Sequence, residues 1–481
     1  MKVLMLLVFP LLLAVSYGNV KLCLKCICYK KALIQPLYTV GCSHLGLQDT
    51  FPNLEQWPEY GQQEETRMAV NFDWNDIQHL KKFPHIPGIV SLSLQHNKIT
   101  KIAGNAFVEL DNLKVLDLSY NQLTAEGVQA DVFRGRYSPQ RYDPLGIVVL
   151  NLGSNHIHTL SPYSFEHLPN LTELRLSYNP LKVLSPSTLM SLGSPDRLQI
   201  LDLSYTGLSD LPEAFVQLTS LRHKLQVLYL NGNQFLRVPQ TLAALGDSLQ
   251  KLNLNDNPIL ELEEDSYRGL LSLRELNMSA MSHLRRIGPS TFAHLRSLEI
   301  LYCSYNHNLT ELDEEAFGYG DNPWTLRELY LRSNALHTLP VHLAPWKNLA
   351  VVDVQDNPWC CDCNLNWFIN ELVPLLADIT PDLVLGLHCS EPLQLSGMSF
   401  LSLRNPANSS LLCGDMITST SKTVWDHSVQ LYSAFQAVII VLLVAAAGLA
   451  ILYYLQLRRN AMHSIQTQFS NIRYMKAKTE T

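Results

Sequence analysis

Eleven stretches of this chain repeat one pattern, L-x-x-L-x-L-x-x-N-x-L, opening at Ile89, Leu113, Ile147, Leu171, Leu198, Leu225, Leu249, Leu273, Leu298, Leu326 and Leu349. Successive openings lie 23 to 28 residues apart, except for one step of 34. A weaker copy at Val70, Phe72, Asn75, Ile77 and Leu80 brings the total to about twelve units. A period of this length excludes one globular core. Each unit is a single turn of chain that cannot bury its apolar face alone, so stability must come from stacking on neighbours.

Within a unit, residues two apart such as Leu116 and Leu118 share one face of a short strand, and the residues between them face the other way. The leucines are the predicted core. The Asn that follows each strand, at 97, 121, 155, 179, 233, 257, 306, 334 and 357, stands where the chain turns inward, and its amide can satisfy the backbone of that turn. Thr206 and Met281 interrupt this ladder. A second apolar column, Phe107, Phe133, Phe165, Phe215, Tyr267, Phe292 and Phe317, is predicted to fill the opposite wall.

This is the leucine-rich-repeat signature. The predicted fold is an α/β solenoid, a leucine-rich-repeat horseshoe with a parallel concave sheet of about twelve strands, disulfide caps at both ends and one C-terminal transmembrane helix. Hydrophobic residues make up 47% of the chain and charged residues 16%, which rules out wholesale disorder. The net charge of −7 conceals a basic tail, with Arg458, Arg459, Arg473, Lys476 and Lys478 against Glu480. The acidic body is a poor partner for phosphate backbones, so nucleic-acid binding is not expected.

The two ends suggest a compartment. Lys2 precedes an apolar run from Val3 to Val15, with Ser16 and Gly18 placed for cleavage, which reads as a signal peptide over 1–18. Ala437 to Leu455 holds 19 residues without a charge, a length matched to a bilayer. Tyr453 and Tyr454 stand at the place of an aromatic belt, and Arg458–Arg459 follow as a cytoplasmic anchor. The expectation is a single-pass type I plasma-membrane protein with an extracellular N-terminus. The predicted segments are a cysteine cap over 19–66, repeats over 67–356, a second cap over 357–414, a linker over 415–433, the transmembrane helix over 434–457 and a short basic tail over 458–481.

The ten cysteines fit export. Cys23, Cys26, Cys28 and Cys42 cluster before the repeats, and Cys360, Cys361, Cys363, Cys389 and Cys413 after them. No second Cys or His pair follows at zinc-finger spacing, which favours disulfides over metal. With Cys23-x-x-Cys26-x-Cys28 and Cys42 at the front, and Asn357-Pro358-Trp359, Cys361-Asp362-Cys363, Trp367-Phe368, Cys389 and Cys413 at the back, residues 23–413 closely resemble the animal extracellular leucine-rich-repeat family of Slit, Toll-like receptors and neuronal adhesion proteins. That resemblance implies the bonds Cys23–Cys28, Cys26–Cys42, Cys361–Cys389 and Cys363–Cys413. Cys303 replaces a core leucine and reads as a buried thiol. Cys360 falls outside the framework, as a free thiol, an alternative partner of Cys363 or Cys389, or an intermolecular link.

No hydrolase elbow, phosphate loop, dinucleotide fingerprint or H-E-x-x-H is present, so neither catalysis, nor a metal, nor a cofactor is expected. His156 and His158 read as solvent-facing. Function must then rest on a surface. Twelve strands at about 4.8 Å spacing give a wall roughly 50 Å long, suited to a protein partner. Tyr229, Tyr302 and Tyr330 fall between paired leucines, with Glu328 and Arg332 beside them, and are the candidate ligand contacts. Tyr120, Tyr178, Tyr205 and Tyr305 precede the Asn column, where Ser-Tyr-Asn is an ordinary filling.

Sequons stand at Asn170, Asn277, Asn308 and Asn408. Asn277 should project from the concave wall, where a glycan would divide it. The unit after Leu113 carries an insertion within Ala125–Gly146 that includes Arg134, Arg136, Tyr137, Arg141 and Tyr142, either a binding loop or an unstructured one. The expected function is a receptor or adhesion glycoprotein that binds an extracellular or cell-surface protein through its concave face. The alternatives are an auxiliary subunit or co-receptor with a lateral membrane partner, and innate immune recognition. The ligand and oligomeric state are not readable from sequence.

Overall fold

The computed structural model describes residues 21–31, 37–318, 325–404, 445 and 447–459. The expected signal peptide, the juxtamembrane linker, Asn408, Cys413 and all but the first two residues of the basic tail lie outside them. The chain divides into two units, Met1–Asn405 and Pro406–Thr481, and every repeat lies in the first.

The first unit is built on one sheet of 14 strands. It opens with an antiparallel hairpin, Ile27–Lys31 against Leu37–Gly41. From Leu37–Gly41 onward every pairing is parallel, through Arg67–Asn71 and Ile89–Ser93 to Glu328–Tyr330 and Val351–Asp353. The repeats supply twelve of these strands, as their spacing predicts, and the N-terminal hairpin adds the other two. Most repeat strands are only three residues long, because just one Leu-x-Leu step separates the inward turn before from the inward turn after. Leu116, Leu118, Leu174, Leu176, Leu228 and Leu230 are all fully buried, each contributing roughly 1.5–3 kcal/mol.

The opposite wall is the aromatic column. Phe83, Phe107, Phe133 and Phe165 follow one another at centroid separations of 6.2, 6.2 and 6.1 Å. Tyr267, Phe292 and Phe317 continue it further along. Between the walls runs the Asn ladder. Asn121 donates to Leu94 O in the preceding repeat and to Leu118 O in its own, while its Oδ1 accepts from Ile99 N. One amide thus closes three backbone groups that burial would otherwise leave unpaired. At the first interruption, Thr206 Oγ1 donates to Leu203 O, and Asn233 Oδ1 accepts from both Thr206 N and Leu208 N. At the second, Met281 is buried and its N–H is taken by Asn306 Oδ1.

Cys23 is bonded to Cys28, Cys26 to Cys42, and Cys361 to Cys389. Cys363 is also in a disulfide. Beyond the last repeat the chain forms short helices over Val373–Ile379, Pro381–Val384 and Phe400–Leu403. Phe368 meets Trp359 and Phe400 edge-on at 5.2 and 5.3 Å. The insertion is an ordered hairpin, Tyr137–Ser138 against Arg141–Tyr142, which corrects the reading of an unstructured loop. Arg136 ties it down through Glu109 and Asp111, both at 3.1 Å.

Of the expected transmembrane helix over 434–457, residues 434–444 and 446 lie outside the described residues, and what is described does not support it. Residues 447–459 are helical, and no helix among the described residues is long and apolar enough to cross a membrane.

Candidate interaction surface

Strand register brings the predicted contact residues into one row. Tyr229, Asn253, Asn277, Tyr302, Tyr330 and Asp353 are successive partners across neighbouring strands. Tyr302 and Tyr330 are therefore adjacent, and their rings stack at 4.8 Å with planes 17° apart. Tyr229 stands apart from them, with Asn253 and Asn277 between. All three tyrosines are half-buried, so each keeps part of its surface exposed.

Charged neighbours fix this row. Tyr330 Oη donates to Glu328 Oε2 at 2.9 Å. Burial, helped by that carboxylate, pushes the Tyr330 phenol up to about 12. Tyr302 is raised as well, by burial and then by Glu275 and Glu328. Arg332 donates to Gln355 Oε1 at 3.0 Å and pairs with Asp356 at 2.6 Å. Lys251 lies 6.0 Å above the Tyr229 ring and 2.7 Å from Glu275. Burial disfavours its charge, but Glu275 more than offsets this and its pKa is raised. The result is a preorganised patch of aromatic faces with charges of both signs at its rim.

Asn277 lies within this row. Its Oδ1 accepts from Ser279 N at 3.0 Å, and the side chain is half-buried. Asn308 is exposed and donates to Ser282 O, and Asn170 is half-exposed.

A second aromatic feature lies one residue before the Asn ladder, and the sequence reading captured only part of it. His44, Trp74, His96 and Tyr120 stack in order at 5.4, 3.8 and 4.1 Å. Tyr178 and Tyr205 stack at 4.5 Å further on. All six have left-handed backbone, with φ between 51° and 60°. The tyrosines were visible from their place before each Asn or, for Tyr205, before the Thr206 that replaces one. Trp74 and His96 occupy the same place, so register rather than residue type was the signal that could have found them.

The repeats at 83–135, 146–194 and 223–280 match the leucine rich repeat family profile. The fold is a leucine-rich-repeat solenoid. This solenoid is similar to podocan-like protein 1 of Mus musculus, 32% identical over 328 residues, covering 56% of this chain and 57% of that one. It is 28% identical over 298 residues to mouse podocan, covering 59% and 46% of the two chains. With lumican of Gallus gallus it shares 33% over 201 residues, covering 41% and 52%. It therefore spans about half the length of the relatives it matches. Among solved structures, the solenoid resembles a chain of the Drosophila Toll–Spatzle complex at 20% identity and a TM-score of 0.45, covering 71% of this chain and 54% of that one.

These relatives correct the expected localisation. Podocan-like protein 1, podocan and lumican point to a secreted protein, which overturns the reading of a single-pass type I plasma-membrane protein. The membrane anchor, and with it the lateral membrane partner, is not supported.

Proposed function

We propose that the solenoid is an extracellular recognition protein without catalytic activity, holding a protein ligand against its concave sheet face. The observation that carries this reading is the partly exposed Tyr302–Tyr330 stack, with Tyr330 held by Glu328. Tyrosine supplies a large contact area at low conformational cost, and the paired charges add direction to the contact. Tyr229 is the outlying contact of the same row. The reading treats 19–66 and 357–414 as caps and 67–356 as the binding body, with Cys363 paired to Cys413. It also assigns glycans to Asn170, Asn277, Asn308 and Asn408. A glycan at Asn277 divides the row and directs the ligand to the Tyr302–Tyr330 side.

The test is a photo-crosslinking phenylalanine analogue at Tyr302 in the full chain, with Tyr163 as the control position. A protein adduct at Tyr302 that disappears with Tyr330→Ala supports the assignment. Equal capture from both positions, or capture that Tyr330→Ala leaves intact, refutes it.

A further inference from the structure

A pocket of about 360 Å³ opens where the last repeat meets the segment after it, lined by none of the tyrosines of the row. Val341, Trp346, Trp367, Leu372 and Leu375 form its apolar lining, and Lys347, Asn348 and Glu371 are exposed at its rim. The two indoles lie 5.8 Å apart at 39°. Both are locked by their own N–H groups, Trp346 Nε1 donating to Val341 O at 2.9 Å and Trp367 Nε1 to Leu339 O at 3.0 Å. They present hydrocarbon and no spare donor.

The backbone beneath the pocket is unusual for a reason visible in sequence. Pro374 has no N–H to give Asn370 O at α-helical spacing. The chain over Phe368–Leu372 instead takes π-helical spacing, with Val373 N bonded back to Phe368 O. Turns of this kind are rare and frequent at functional sites. Here the widened turn carries Glu371 and Leu372, both of which line the pocket.

We propose that this pocket binds a small, uncharged aromatic molecule of one or two rings. Its volume is at the lower end of ligand sites, which run from about 300 to 1,000 Å³. The walls are apolar and polar groups stand only at the rim, so a ligand with many polar groups would bury more of them than Lys347, Asn348 and Glu371 could pair. One carboxylate and one ammonium at the rim leave no net charge to select an ion.

Indole is the probe, added to full-length protein labelled with 5-fluorotryptophan. The seven tryptophan resonances are separable by substitution, with Trp346→Phe and Trp367→Phe assigning the two that matter. Indole should shift those two resonances saturably below millimolar concentration and leave Trp57 and Trp74 in place. Leu375→Trp, which fills the pocket, should weaken binding at least about tenfold while near-ultraviolet circular dichroism stays native. Val341→Trp at the lip serves the same purpose where that variant does not fold. Benzoate and benzylammonium should each bind at least about tenfold more weakly than indole. The proposal fails if no saturable shift appears, if all tryptophans shift alike, if a folded pocket-filling variant binds indole unchanged, or if either ion matches indole.

Discussion

The ring of Tyr205 lies over the backbone of Gly232, and its hydroxyl crosses that repeat to donate to Asp256 Oδ2 at 3.0 Å. Gly232 has φ +66, yet His96, Tyr120 and Asp256 hold the same left-handed place with side chains attached. Backbone conformation alone therefore does not require glycine there. A Cβ at Gly232 would stand 2.1 Å from the Tyr205 ring. Gly232→Ala should cost about 1–2 kcal/mol from the left-handed strain, and more because the ring must move. In a Tyr205→Ala background the second contribution should vanish. A double-mutant cycle by urea denaturation measures it, and strict additivity would show that the ring is not the obstacle.

Asn233 accepts from Thr206 N and Leu208 N and donates to Leu203 O and Leu230 O, all buried. Asn233→Ala leaves the Thr206 and Leu208 N–H groups unpaired, whereas Leu203 O keeps Thr206 Oγ1 and Leu230 O keeps Asn257 Nδ2, and it should destabilise by about 2 kcal/mol or more. Thr206→Asn, which restores the ladder, should be within about 1 kcal/mol of the parent or more stable. Hydrogen exchange on the flanking repeats reads both.

The phenol of Tyr330 is raised to about 12, first by burial and then by Glu328. The folded state therefore holds this proton more tightly than the unfolded chain, whose tyrosines titrate near pH 10. The associated stability is complete below about pH 10 and is lost as pH rises towards 12. Glu328→Gln should lower the Tyr330 titration midpoint, followed by tyrosinate absorbance. An unchanged midpoint would remove Glu328 as a cause.

Cys303 is fully buried, which pushes its thiol up to about 12. Cys360 is only partly buried, and burial followed by Asp362 and Glu391 raises its thiol as well. Alkylation of native protein near pH 8 should mark Cys360 slowly and Cys303 only after unfolding. Early labelling of Cys303, read by peptide mass, would contradict the packing of that repeat.

Glycopeptide mapping of protein from a secreting animal cell should find Asn277 occupied. An unmodified Asn277 would leave the tyrosine row undivided.

Much of the fold was legible because leucine spacing reports directly on burial. One Leu-x-Leu step per unit, followed by Asn, allows little besides a stacked coil, and the aromatic column followed from the same count. The interruption at Thr206 could be located in sequence, but its repair by Asn233 could not, since that depends on an amide 27 residues away. The contact row was half legible. Alternation put Tyr302 and Tyr330 on the outer face, and register between strands made them neighbours.

What the sequence determined by itself was the repeat, its buried faces and the residues turned outward, because these follow from periods of two and of about 24 along one chain. Tertiary structure decided which outward residues meet. Tyr302 stacks on Tyr330, His96 on Trp74, and Trp346 shares a pocket with Trp367, 21 residues later. Those contacts arise from stacking one coil on the next, and a linear pattern does not encode the distance between side chains on separate coils.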